Sequence, residues 1–153
     1  MSIWKDLYSI FNQERSRWQK QAADSQALQV ELKTNLTFLA DALANNLEQT
    51  KTIAGLGSKY FEIFIKDNSN FNSLQKRALQ KRTIAEFSEF EKYLGKDTQY
   101  LVRNLYSKIF AIRKLHKQDP KQDCSLRLKA LFRFMMLTLA HIDGKNLKAK
   151  AKS

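Results

Sequence analysis

From Trp4 to about Thr50 the chain holds neither glycine nor proline, and one heptad register runs through most of that stretch. Trp4, Phe11, Trp18, Ser25, Leu32 and Leu39 fall at one core position of the heptad, and Tyr8, Arg15, Ala22, Gln29, Leu36 and Leu43 at its partner. Apolar residues at alternating three- and four-residue steps line one side of a helix, so the pattern predicts helix almost throughout, with coiled-coil character. Its middle is weak, because Ser25 and Gln29 stand where apolar residues belong and Asp24 can cap a new helix. The region reads as a single helix of roughly 70 Å, at about 1.5 Å per residue, or as two helices broken near Asp24. In either reading Leu28, Leu32, Leu36, Leu39, Leu43 and Leu47 form a narrow leucine seam. Such a seam closes the chain's own core or pairs with a second copy, and self-association would use Leu32, Leu36, Leu39 and Leu43.

Gly55 and Gly57 interrupt the pattern, and Ser58 can cap the short apolar segment KYFEIFIK, which ends in the loop-like DNSNFNS. The two glycines lack the preceding strand and the following Gly-Lys-Ser/Thr of a phosphate loop, so a helical corner is expected. Asn72 and Gln75 read as a capping pair opening a helix from Ser73 to Leu94 that stops at Gly95, with Leu79, Ile84, Phe87, Phe90 and Leu94 inward. Its early cations, Lys76, Arg77, Lys81 and Arg82, are offset by Glu86, Glu89 and Glu91. Asp97 or Thr98 opens the next helix, which runs to about Lys117 and is stopped by Asp119-Pro120. Leu101, Leu105, Ile109, Ile112 and His116 point one way, and Arg103, Lys114 and Lys117 the other. Phe110 falls on the charged side, where it is either covered by another helix or offered as a stacking ring.

Asp123 is expected to cap the last helix and Gly144 to end it. Its sequence from Leu126 to Ile142, LRLKALFRFMMLTLAHI, is apolar on nearly every side from Leu131 onward. Winding it at about 100° per residue gathers Leu128, Leu131, Phe132, Met135, Leu139 and Ile142 on a broad face, with Arg127, Thr138 and His141 on a narrower polar stripe. A helix so apolar must be enclosed. The run from Ala130 to Ile142 is thirteen residues and holds Arg133, whereas a bilayer span needs about 20 apolar residues. It is therefore the expected centre of an all-α fold: a helical bundle of five or six helices, residues 1–143, with a long N-terminal helical region and a basic disordered C-terminal tail, residues 144–153.

Composition narrows the picture. A chain of 153 residues can bury one core unaided, and four glycines and one proline are too few for an all-β chain. Cys124 is the single cysteine, and the first twenty residues lack the apolar core of a secretory signal, so a cytoplasmic location is expected. The net charge of +12 is uneven: residues 101–153 carry 13 basic and 3 acidic side chains, while the first hundred are nearly balanced. A concentrated positive field favours nucleic acid, phospholipid headgroups or an acidic protein face. The candidate polyanion-binding residues are Arg103, Lys114 and Lys117, then Lys121 just past that helix, and Lys145, Lys148, Lys150 and Lys152 on the tail.

Reactive chemistry is sparse. His116, Asp119, Asp123 and Cys124 lie within nine residues, but their spacing matches no zinc pattern and Asp119-Pro120 forces an extended turn between them. Neither histidine belongs to a Glu-x-x-His motif of the di-iron kind. Arg113 precedes His116 by three residues and Arg133 precedes His141 by eight, and neither interval makes a shared exposed face. No catalytic, cofactor-binding or metal residue is assigned, and no enzyme is expected. The function expected is a non-catalytic interaction module engaging another protein or a second copy. The alternative is sequence-nonspecific nucleic-acid binding through the basic last third. A weaker alternative is membrane-surface association through Ile3, Trp4, Leu7, Tyr8, Ile10 and Phe11.

Overall fold

The apolar run of the last helix sets the arrangement of everything else. The computed structural model describes the backbone of residues 3–23 and 26–148 and the side chains of residues 5–15 and 26–148. Seven α-helices carry it: α1 (Ile3–Ala23), α2 (Ala27–Ala44), α3 (Gln49–Ala54), α4 (Lys59–Lys66), α5 (Lys81–Ile84), α6 (Thr98–Gln118) and α7 (Ser125–Asp143). Short 3₁₀ turns occupy Phe71–Ser73 and Ser88–Tyr93, and there is no strand among the described residues. The division of the N-terminal region accounts for six helices, and the seventh is α3, a separate short helix where that region was expected to end. Gln26 is extended, at φ −60° and ψ 155°, so α1 and α2 are separate helices; the expected cap at Asp24 lies outside the described residues. No described helix is long and apolar enough to cross a membrane.

α7 is central, with α1, α2, α5 and α6 packed on it. Every residue from Phe134 to Ile142 is buried, so Thr138 and His141 of the expected polar stripe do not reach the surface, while Arg127 does. Thr138 returns its hydroxyl to the Phe134 carbonyl at 2.9 Å, and His141 Nε2 meets Thr98 Oγ1 at 2.8 Å. Buried polar groups need such partners.

The leucine seam is core. Leu32, Leu36 and Leu39 are at most 1% exposed, and Leu43 packs half-buried against them. In this fold a second copy would reach Leu32, Leu36 and Leu39 only by opening the bundle. In the N-terminal aromatic segment Leu7, Ile10 and Phe11 are buried and Tyr8 is half-buried, with Phe11 edge-on to Phe132 at 6.2 Å. The side chains of Ile3 and Trp4 lie outside the described residues.

The stretch from Phe71 to Gly95 is not the helix its spacing predicts; only α5 within it is α-helical. Asn72, expected as a cap, reaches across to the start of α6 instead, accepting from the Gln99 amide at 2.8 Å and donating to Asp97 at 3.2 Å. The Gln75 carbonyl accepts from Thr98 Oγ1 at 2.6 Å, and Leu79 exchanges backbone bonds with Lys96 and Gly95. Groups that a helix would satisfy internally are thus tied to a neighbour. Leu79, Ile84 and Phe90 still bury their side chains.

Helix ends follow local chemistry where the sequence carries a clear cap. Asp97 accepts from the Tyr100 amide at 2.8 Å, and Gly144, at φ +67°, closes α7 in the left-handed region that glycine adopts without strain. Asp123 accepts from the Ser125 amide at 2.9 Å, although Cys124 is the capping residue itself. The chain does not come loose at Gly144. Leu147 is 2% exposed and donates its amide to the Thr83 carbonyl at 2.8 Å; residues 149–153 of the expected tail lie outside the described residues.

Candidate functional site

α6 buries Leu101, Val102, Leu105, Tyr106, Ile109 and Ile112. At about 100° per residue, Tyr100, Arg103, Ser107, Ala111 and Lys114 then share the opposite face within an arc of about 80°, and all five are exposed. Lys117 stands at the edge of this stripe and Lys121 on the corner that follows, both exposed. No acidic residue occurs anywhere in α6. Phe110, at the same edge, is half-buried: Phe61 of α4 lies 5.9 Å from it and the Arg113 guanidinium 5.6 Å above it. Another helix covers the ring, and it is not a free stacking surface.

The remaining candidates are elsewhere. α6 and α7 are antiparallel, since Thr98 at the start of one meets His141 near the end of the other. At the opposite end Gln49 of α3 donates to the Pro120 and Gln122 carbonyls at 3.3 and 2.6 Å. Lys145 and Lys148 therefore lie near the beginning of α6, about 30 Å along the helix axis from Lys117 and Lys121. Lys150 and Lys152 lie outside the described residues. Residues 145–148 instead join cations that the sequence had assigned to a neutralised helix: the Leu147–Thr83 bond and the Arg77 guanidinium against Gly144 bring them beside the segment carrying Lys76 and Arg77 and, in α5, Lys81 and Arg82. Glu89, expected to offset that cluster, turns to Arg133 at 3.5 Å.

A groove that sequence reasoning missed flanks the outward face of α6 on its α7 side. It has a volume of about 170 Å³ and is lined in part by Glu89, Lys92, Tyr93, Lys108, Arg133 and Phe134. Lys108 Nζ sits 5.2 Å from the Phe134 centroid, Lys92 5.3 Å from Tyr93, and Lys96 4.9 Å from Tyr100. Its signal was present as lysines one and four residues before tyrosines, at 92–93 and 96–100, but the expected helix placed Tyr93 on the wrong element.

Two buried polar clusters are structural. Glu31 of α2, 8% exposed, accepts from the Tyr60 and Phe61 amides at 2.7 and 3.2 Å and from the Tyr106 hydroxyl at 2.7 Å. A carboxylate from another helix thus caps α4, where Ser58 was expected to do so. Burial first, and the Glu31 charge second, push the Tyr106 hydroxyl far above its usual range. Asn35 exchanges two bonds with Gly57, at 2.8 and 2.7 Å, and Arg113 donates to Ser58 Oγ at 2.8 Å and to the Leu56 carbonyl. Gly55 belongs to this corner because a Cβ there would stand 2.2 Å from the Phe38 ring. In the second cluster Thr98 gives its one hydrogen to Gln75, which leaves His141 Nε2 as donor to Thr98. Burial and then Arg77 lower the His141 pKa, and Asp97 opposes them.

His116 Nε2 meets Thr50 Oγ1 at 3.1 Å, Cys124 is buried, and among the described residues no group of three His, Cys, Asp or Glu side chains is placed to hold a metal ion. A second groove, of about 670 Å³, is lined by Asp6, Glu86 and Glu89 as well as Lys148, a charge balance unsuited to a polyanion. No family model, curated protein or solved structure matches the chain.

Proposed function

We propose that the protein is a non-catalytic binding module for nucleic acid, held through its phosphates by the outward face of α6. One observation carries this reading: Arg103, Lys114 and Lys117 stand exposed on a helix with no acidic residue, while Leu32, Leu36 and Leu39 of the leucine seam and Leu7, Ile10 and Phe11 of the N-terminal segment are buried. Cations held on a helix lose less freedom on contact than cations on a loose segment. Phosphate contacts position a strand without reading its bases, so low sequence preference is expected.

Anisotropy of labelled 30-mer DNA and RNA tests it. Affinity should fall by roughly 10³-fold between 50 and 200 mM salt for about six phosphate contacts, and Arg103→Glu/Lys114→Glu/Lys117→Glu should weaken binding and flatten the slope. No binding at the lower salt, or binding unchanged in the triple variant, sinks the reading. A protein partner is the second reading, favoured by Tyr60 and Ile63 of α4, which are 39% and 45% exposed. Ile63→Asp would release such a partner, and the triple variant would not.

A further inference from the structure

The groove beside α6 pairs Lys92 with Tyr93 and Lys108 with Phe134, and the Lys96–Tyr100 pair adjoins it through Tyr93. Tyr100 is 39% exposed and lies on the same outward face as Arg103 and Lys114. Tyr93 is half-buried, 6.4 Å from Tyr100 and inclined 46° to it. Phe134, 3% exposed, forms the floor and holds Tyr93 edge-on at 5.1 Å and 76°. Around these rings stand Lys92, Lys96 and Lys108, with Arg133 partly answered by Glu89.

Resting on the nucleic-acid reading above, we propose that the strand bound here is single-stranded: Tyr100 and Tyr93 stack two of its bases, and Lys92, Lys96 and Lys108 take the neighbouring phosphates. The ring separation of 6.4 Å is about twice the 3.4 Å rise per base along a stacked strand. The tilt between the rings likewise demands bases that are splayed apart. A duplex keeps its bases stacked and paired and offers the rings only its sugar–phosphate edge. In the free protein an ammonium lies over each tyrosine ring, but an exposed cation–ring contact is weaker than base stacking, so a base displaces the ammonium onto the adjoining phosphate. The arriving strand supplies both groups together, a ring face and a negative charge, in alternation that matches the surface.

The experiment compares a labelled dT 30-mer, a 30-bp duplex and heparin as competitor, all with the full chain. The single strand should bind at least about tenfold tighter than the duplex. Tyr100→Ala should lower single-strand affinity about tenfold while leaving duplex affinity and salt slope unchanged, and Tyr100→Phe should restore it. Because Tyr93 packs on Phe134, its ring is tested by Tyr93→Leu, which keeps an apolar contact with the floor, with thermal melting as the folding control. Lys92→Gln/Lys96→Gln should instead reduce the salt slope. Equal binding of single strand and duplex, or a Tyr100→Ala variant indistinguishable from the parent, overturns stacking and leaves the phosphate reading standing. Absence of binding to all three polyanions at 50 mM salt overturns both.

Discussion

Lys33 and Lys114 are both helical lysines, and the molecule uses them oppositely. Lys33 of α2 is 4% exposed and reaches Asp143 at the end of α7 at 3.2 Å, on a stretch where Glu31 and Asn35 are buried too. Lys114 of α6 is exposed, and its helix holds no acid. Removing one partner of a buried ion pair costs about 3–5 kcal/mol, whereas changing an exposed cation usually moves stability within about 0.5 kcal/mol. The net charge of +12 therefore mixes two populations. The α2 charges hold helices together, as does Arg113 of α6, whereas Arg103, Lys114 and Lys117 of α6 are exposed.

The contrast breaks first if the interior tolerates a lone charge. Met135, 1% exposed, faces the broad side of α7, and an unpaired buried carboxylate costs several kcal/mol. Met135→Asp should be insoluble or lack a cooperative melt by circular dichroism; a melting curve near the parent's would mean that α7 is not central.

The next effect in size concerns the buried pair itself. Lys33→Ala should cost about 3 kcal/mol in urea denaturation by leaving Asp143 charged in the interior. Lys33→Met/Asp143→Leu should recover most of that loss, because two apolar side chains replace two desolvated ions. A double variant as unstable as the single one would show that specific geometry, and not charge compensation, holds α2 to α7.

A smaller effect should appear with pH. The pKa of His141 is lowered from 6.5 in the folded protein, so below that value the unfolded chain binds a proton that the folded chain refuses. Stability should then fall as pH drops through the window beneath 6.5 and be insensitive to His141 above it. The groups facing His141, Arg77 from the loop and Asp97 from the start of α6, act in opposite directions. Melting temperatures measured at about pH 7.5 and pH 5.5 should decline less in His141→Gln than in the parent, and parallel declines would remove His141 as the cause.

The smallest change in stability is expected where the effect on binding is largest. Arg103→Glu/Lys114→Glu/Lys117→Glu should melt within a few degrees of the parent, since all three residues are exposed. A large drop would place that stripe in the structural population and remove its availability to a partner.

The sequence by itself determined the all-α class, α6 and α7 with their ends at Asp97 and Gly144, and the outward stripe of Arg103, Lys114 and Lys117. These depend on 3.6-residue periodicity and on caps made by near neighbours, which are local interactions written in consecutive residues. Only the tertiary structure placed Leu32, Leu36 and Leu39 of α2 in the bundle core, because an apolar stripe has the same spacing whether it faces its own chain or a second copy. It decided that Phe71–Gly95 forms turns, since Asn72, Gln75 and Leu79 find their hydrogen bonds at Gln99, Thr98 and Lys96 and not within a helix of their own. It also decided that Glu31 caps a helix 29 residues away and that Tyr93 meets Phe134. Burial and pairing between distant segments have no signature in local spacing, and those contacts separate the charges that build this protein from the charges it presents.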